Sequence, residues 1–229
     1  METITSSLLH KIVYPGIANT GPHPAVILLH GRGTDENDLL GLASYLDPRL
    51  FIASVRAPFA FPFGGHTWYE IIEVGTPEQS QFEESYQRLL QFIGDLKQGY
   101  PVDPQRVFLL GFSMGSVMSF ALSLSHPELL RGVIAHSGYI PEHMTNRFRL
   151  EAVNTLSLFV GHGSQDPVIP VSYGRRAKEF LSATKADLTY KEYPIPHTMS
   201  EESLTDLSLW LQQRLNPSSP PLDVPDKNR

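Results

Sequence analysis

Ser113 stands in Gly111-Phe112-Ser113-Met114-Gly115, between the apolar run Val107-Phe108-Leu109-Leu110 and a helix-like stretch from Ser116 to Ser125. Strand, sharp turn and helix in that order make a nucleophile elbow, in which the turn pushes one side chain out of the strand's end. The flanking glycines let two backbone segments close around a residue held in a strained conformation. Ser113 is therefore the candidate nucleophile. Its hydroxyl is almost un-ionised at neutral pH, so it needs a general base, and that base needs an acid to fix its tautomer and stabilise its cation.

An elbow of this kind is followed along the chain first by the acid and then by the histidine. Of the nine histidines, His197 comes late enough to follow any plausible acid, in a loop between a strand and a helix. His136 and His162 also follow strands, but no suitably placed acid precedes them. For the acid, Asp166 competes with Glu179, Asp187 and Glu192. Glu179 falls within a helix pattern, and Asp187 and Glu192 flank or occupy a strand, whereas Asp166 sits in a loop after a strand. The plain alternative is that Asp166 only opens the Asp166-Pro167 turn.

Acyl-transfer chemistry also needs two amide donors for the developing oxyanion, one from the residue after the nucleophile and one from the loop after the first central strand. Met114 is the first. Arg32 is the second, because Gly31 and Gly33 on either side free its backbone to aim inward. His30 is read as a brace for that loop. No metal site is expected: no second histidine lies at ligand spacing from His30, and Gly163 and Pro167 make the His162–Asp166 segment a loop instead of a helix face.

These residues need elements that bring them together. Ala25 to Leu29 is a continuous apolar run of the sort found in a sheet covered on both faces, and it leads directly into His30-Gly31-Arg32-Gly33. Further strands are expected at Ile12–Val13 on an edge, Phe51–Val55, Gly132–Ala135, Thr155–Val160 and Leu188–Tyr193. Helices are expected from Thr34 or Asp35 to Leu46 and from a capping box at Thr76-Pro77-Glu78-Gln79. Two more run from Val171 to Leu181 and from Glu201 to Leu215, the last with Leu204, Leu207, Trp210 and Leu211 inward. Arg56 to Gly75 reads as a long irregular loop rich in aromatics, and Ser137 to Asn154 as a small cap at most. The alternation predicts an α/β domain with a mostly parallel sheet, whose strand ends deliver the candidate residues to one edge. That domain should span 1–215, with 216–229 a disordered proline-bearing tail.

Composition narrows the partners. The chain has 229 residues, 41% hydrophobic and 18% charged, enough for one full core. A net charge of -6 and a pI near 5.8 argue against nucleic acid and against anionic membranes. With no cysteine, disulfides, thiolate metal sites and cysteine nucleophiles are excluded. The N-terminus lacks the pattern of a signal peptide and no run approaches a membrane span, so the expected location is cytoplasmic, without a stable membrane anchor.

With these pieces placed, the chain resembles the carboxylesterase/phospholipase family of α/β-hydrolases that includes the acyl-protein thioesterases, particularly its bacterial esterases. The resemblance rests on Leu28 to Gly33 with Asp35-Glu36 and Asp38-Leu39, on Ala57-Pro58 and Trp68-Tyr69, on Gly111 to Gly115, on Gly161-His162-Gly163 with Asp166 to Pro170, and on His197. It departs at Ser116, where glycine or alanine is usual, and at Pro196, where glycine is usual. The resemblance implies a single-domain α/β-hydrolase fold with helices on both faces of the sheet and minimal or no cap. It implies hydrolysis of small-molecule carboxylic esters by Ser113, Asp166 and His197, with the Arg32 and Met114 amides as oxyanion hole and no cofactor. Phe59, Phe63, Trp68 and Met144 are candidates to line an apolar acyl pocket; anchoring a long loop onto the core is the equal alternative. A thioesterase or lysophospholipase would use the same machinery, and a silent binding module is the rival from another class. A homodimer is compatible with this reading.

Overall fold

The uninterrupted apolar runs become strands because both faces of the sheet are covered. The computed structural model describes residues 3–17 and 21–215; the sequence Asn19-Thr20-Gly21-Pro22 reads as a turn whose first two residues, like the expected 216–229 tail, lie outside them. The strands are β1 (His10–Val13), β2 (His23–Leu29), β3 (Phe51–Val55), β4 (Val102–Phe112), β5 (Gly132–His136), β6 (Ser157–Gly163) and β7 (Asp187–Tyr193). They form one sheet in the order β1-β3-β2-β4-β5-β6-β7. Neighbouring strands are parallel except the edge pair of β1 with β3.

Four helices follow: α1 (Gln79–Gly99), α2 (Met114–Ser125), α3 (Val171–Ser182) and α4 (Glu201–Arg214). The two-residue period of a strand divides the core between the faces. Ala25, Ile27 and Leu29 of β2 pack with α1, α2 and α3. Val26 and Leu28, one step out of phase, pack with Leu204, Leu207, Trp210 and Leu211 of α4. This is the α/β-hydrolase architecture. Each crossover returns the chain so that β2, β4, β5, β6 and β7 end at the same edge.

Three local expectations are corrected. The segment after Thr34 is not an α-helix: Asp35 Oδ1 accepts the Asn37 amide at 2.8 Å, an Asx turn, and a 3-10 helix over Asp38–Ser44 follows with Gly41 in its middle. The cap of α1 is Glu78, whose carboxylate accepts from the amides of Ser80 and Gln81, while Thr76-Pro77 form a short strand. The 56–75 loop is more ordered than its composition predicts. Phe59–Ala60 pairs with His66–Thr67, and Ile71–Glu73 pairs with Thr76–Pro77, making two small hairpins. Between Ser137 and Asn154 the chain makes only two 3-10 turns, over Glu142–Arg147 and Leu150–Thr155.

Candidate active site

The β4–α2 junction is built by close backbone approach. Ser113 has φ 55° and ψ -117°, left-handed backbone that an L-residue holds only under constraint. A Cβ on Gly115 would lie 1.9 Å from the Leu29 carbonyl oxygen, and one on Gly111 would lie 2.3 Å from the Gly115 oxygen. Glycine at both positions is what allows β2, β4 and α2 to meet. Ser116, the unusual residue after the elbow, is fully buried and fills the space beside Gly138, where a Cβ would meet its hydroxyl at 2.4 Å.

Ser113, His197 and Asp166 converge. His197 Nδ1–H donates to Asp166 Oδ2 at 2.6 Å, which leaves Nε2 as the acceptor for the Ser113 hydroxyl at 2.9 Å. The other oxygen of Asp166 accepts the amides of Val168 and Ile169, each at 2.9 Å, so the carboxylate is held from both sides. Its side chain is fully buried, and that of His197 is 16% exposed. The Asp-Pro turn and the Asp166 carboxylate are therefore one device: the turn supplies the amides that aim the carboxylate toward His197. Pro196 does not keep His197 away. Gly163 lies against the carbonyls of Ile195 and Pro196, seating the histidine loop on the end of β6.

His162 and His136 also surround the site without reaching Ser113 Oγ. His162 Nε2–H donates to the Ile169 carbonyl at 2.8 Å and lies 3.7 Å from Asp166 Oδ2. Burial holds its pKa below the usual histidine value. In His136 burial drives the pKa down to about 3.

The loop after β2 is braced as its histidine suggested. His30 Nε2 accepts the Ala57 amide at 3.0 Å and Nδ1–H donates to the Gly31 carbonyl at 2.6 Å. Gly31 lies against Ser113: a Cβ there would be 3.5 Å from Ser113 Cβ. The Gly33 amide donates to the His66 carbonyl at 2.8 Å. The Arg32 guanidinium pairs with Glu70 at 2.9 Å and lies 4.5 Å from the centre of the Phe61 ring.

The pocket candidates fall in different places. Trp68 is fully buried, and its indole N–H donates to the His30 carbonyl at 2.9 Å. Met144 is also buried in the core. Phe59 is half-buried, whereas Phe63 is 90% exposed, edge-on to Phe61. A cavity of about 770 Å³ opens between α3 and the 139–151 segment, with Tyr139, Ile140, Leu150, Tyr173 and Phe180 in its lining. Tyr139, in its wall, has its hydroxyl 3.5 Å from that of Tyr69. Sequence reasoning missed Tyr139 because nothing marks one tyrosine after a strand as a wall residue until the cavity is seen. Among the described residues, no helix is long and apolar enough to cross a membrane, and no group of three or more His, Asp or Glu could hold a metal ion.

Fold and strand-edge geometry together define an α/β-hydrolase with a serine, a histidine and an aspartate in hydrogen-bonded line. The chain belongs to the phospholipase/carboxylesterase family, whose model matches residues 16–215, a family of hydrolases acting on ester bonds. It is similar to acyl-protein thioesterase 1 of Mycosarcoma maydis, 26% identical over 234 residues covering 90% of this chain and 98% of the relative. The same-named protein of Kluyveromyces lactis is 28% identical over 216 residues, 83% of this chain and 91% of the relative. Its fold matches a Bacillus cereus carboxylesterase with TM-score 0.79 at 20% identity, covering 90% of this chain and 94% of the other.

Proposed function

We propose that this chain hydrolyses carboxylic esters of small molecules through an acyl-enzyme, with Ser113 as nucleophile, His197 as general base and acid, and Asp166 as its orienting carboxylate. The observation that carries this reading is the line from Asp166 through His197 to a serine held in left-handed backbone, at 2.6 and 2.9 Å. His197 Nε2 takes the Ser113 proton as Oγ attacks the ester carbonyl carbon. The carbonyl electrons move to oxygen, and the amides of Met114 and Arg32 receive that oxyanion. Gly33 is the poorer second donor because its N–H is already given to His66. Collapse of the intermediate expels the alkoxide, which takes the proton from His197. Water, deprotonated by the same nitrogen, then attacks the acyl group and releases the carboxylic acid with Ser113 restored.

A fluorophosphonate probe tests this directly. The native protein should label and Ser113→Ala should not; labelling that persists without Ser113 would overturn the assignment. The names of the Mycosarcoma and Kluyveromyces relatives favour a second reading, cleavage of acyl thioesters. The steps are the same with a thiolate leaving. Oxygen and sulfur esters carrying one common acyl group, compared by kcat/KM, rank the two.

A further inference from the structure

Among the described residues, two that are not glycine have positive φ: Ser113 at 55° and Ser137 at 53°. They are neighbours across the sheet. Phe112 of β4 pairs with His136 of β5, so both strands leave the sheet through a left-handed serine at the same level. The Ser113 N–H donates to the His136 carbonyl at 3.0 Å, and the Ser137 N–H donates to the Gly161 carbonyl at 2.9 Å. A non-glycine residue stays in such backbone only where its surroundings hold it. The glycines of the elbow account for Ser113. They do not account for Ser137.

The side chain of His136 is the group that meets the Ser137 hydroxyl. It is fully buried, stacks on Tyr193 with ring centroids 6.0 Å apart, and meets Phe112 at 6.1 Å. Phe112 in turn meets the His197 ring at 4.9 Å. The imidazole is seated against Gly161, where a Cβ would lie 2.8 Å from its Cδ2. Its Nδ1 is 3.0 Å from Ser137 Oγ, while Nε2 has no hydrogen-bond partner among the described residues. The proton therefore belongs on Nδ1, donated to Ser137 Oγ. Burial keeps the ring neutral, with His162, His197 and Asp166 as the titratable groups acting on it.

We propose that His136 is a positioning residue for the nucleophile: its imidazole pins Ser137 in the left-handed conformation, which aims the His136 carbonyl at the Ser113 amide. The inference rests on Ser113 as nucleophile. Without the pin, the elbow relaxes and Ser113 Oγ moves off the line to His197 Nε2. The loss then falls on kcat and not on substrate binding.

His136→Phe keeps the ring and loses the hydrogen bond, Ser137→Ala removes only the hydroxyl, and His136→Asn places an amide N–H close to where Nδ1–H stood. Hydrolysis of p-nitrophenyl acetate, the rate of fluorophosphonate labelling and the thermal midpoint are measured for each. We expect His136→Phe and Ser137→Ala each to lower kcat and labelling about tenfold with KM within about twofold. The double variant should be no worse than either single one, because both remove the same bond, and His136→Asn should recover most of the rate. Wild-type kcat in both single variants, or losses that multiply in the double variant or follow only the thermal midpoint, would overturn the proposal. Should His136→Phe not fold, Ser137→Ala carries the test alone. Ser113→Ala keeps the two readings apart: labelling that survives it removes the triad, whereas a silent Ser113→Ala beside a wild-type-like Ser137→Ala removes only the positioning role.

Discussion

Ser113 and His197 lie 84 positions apart in the chain and meet at 2.9 Å. They meet because β4 and β7 end at the same edge of a parallel sheet, with β5 and β6 between them. His197 lies in the 194–200 connection between β7 and α4, so its ring must be held by its neighbours. Asp166 holds one nitrogen, and Phe112, the residue before Ser113, packs against the ring at a tilt. Geometry of this kind converts a poor nucleophile into a reactive one only while the histidine keeps the right tautomer.

Asp166→Asn should therefore fold and fail. The amide oxygen of asparagine can still accept from Val168 and Ile169, which preserves the turn. Its NH₂ group would face His197 Nδ1 and force the proton to Nε2, where it opposes the Ser113 hydroxyl. The expected outcome is a kcat lower by about 10³- to 10⁴-fold with a near-native circular dichroism spectrum. A loss below tenfold would mean that Asp166 serves mainly the turn.

The candidate site is legible in the sequence because Ser113 and Asp166 each follow an apolar run that becomes a buried strand, while His197 follows a mixed, partly exposed strand at the sheet edge. Val107 to Leu110 before Ser113 and Leu158 to Val160 before Asp166 are the apolar runs, and the polar-containing Leu188 to Tyr193 before His197 is the edge strand; parallel topology brings the three ends to one edge. Contacts between strands are less legible. The pairing of Phe112 with His136 and the left-handed backbone of Ser137 follow from register, which no local pattern around Ser137 declares. Side-chain competition for backbone groups also decides local outcomes. Asp35 spends its carboxylate on Asn37 in a turn, and Glu78 takes the cap that Thr76 was expected to make. In the aromatic loop, composition marks which residues are large but not which point inward. Trp68 is buried and Phe63 is not.

Gly115→Ala should be among the most damaging small substitutions. The added methyl would sit 1.9 Å from the Leu29 carbonyl oxygen, and both partners are backbone of packed elements with little room to yield. The cost should be about 3 kcal/mol or more, at the upper end for overpacking. Urea unfolding of the variant beside the native protein measures it, and a midpoint unchanged within error would show that α2 can shift away from β2.

Acid should destabilise the protein well before its carboxylates protonate. Burial lowers the pKa of His30, His136 and His162, in His136 to about 3 from a usual 6.5. Below pH 6.5 the unfolded chain binds more protons at these rings than the native state does. Their contribution is thus complete above pH 6.5 and is lost as pH falls toward the native values. Each ring adds a slope of up to about 1.4 kcal/mol per pH unit. Between pH 6.5 and 5 this should dominate the change in the urea midpoint, and replacing His136 by Phe should make the slope shallower by about one proton. A flat midpoint over that window would show that the rings take up protons without unfolding.

Trp68 and Phe63 lie in one aromatic loop, and exposure assigns them opposite consequences. Trp68→Phe keeps most of the buried ring but leaves the His30 carbonyl without its indole donor at the start of the loop that carries Arg32. An unsatisfied buried carbonyl costs about 1–3 kcal/mol, and the strain would be relieved by movement of the 30–33 backbone. That backbone carries the proposed oxyanion donor, so kcat should fall several-fold with a matching drop in thermal midpoint. Phe63→Ala removes a ring that is 90% exposed, so stability should stay within about 0.5 kcal/mol. If Phe63 meets the acyl chain, KM should rise for long-chain p-nitrophenyl esters and stay constant for the acetate. Equal KM across the series would place Phe63 outside the substrate's path and leave the cavity beside Tyr139 as the better location for an acyl group.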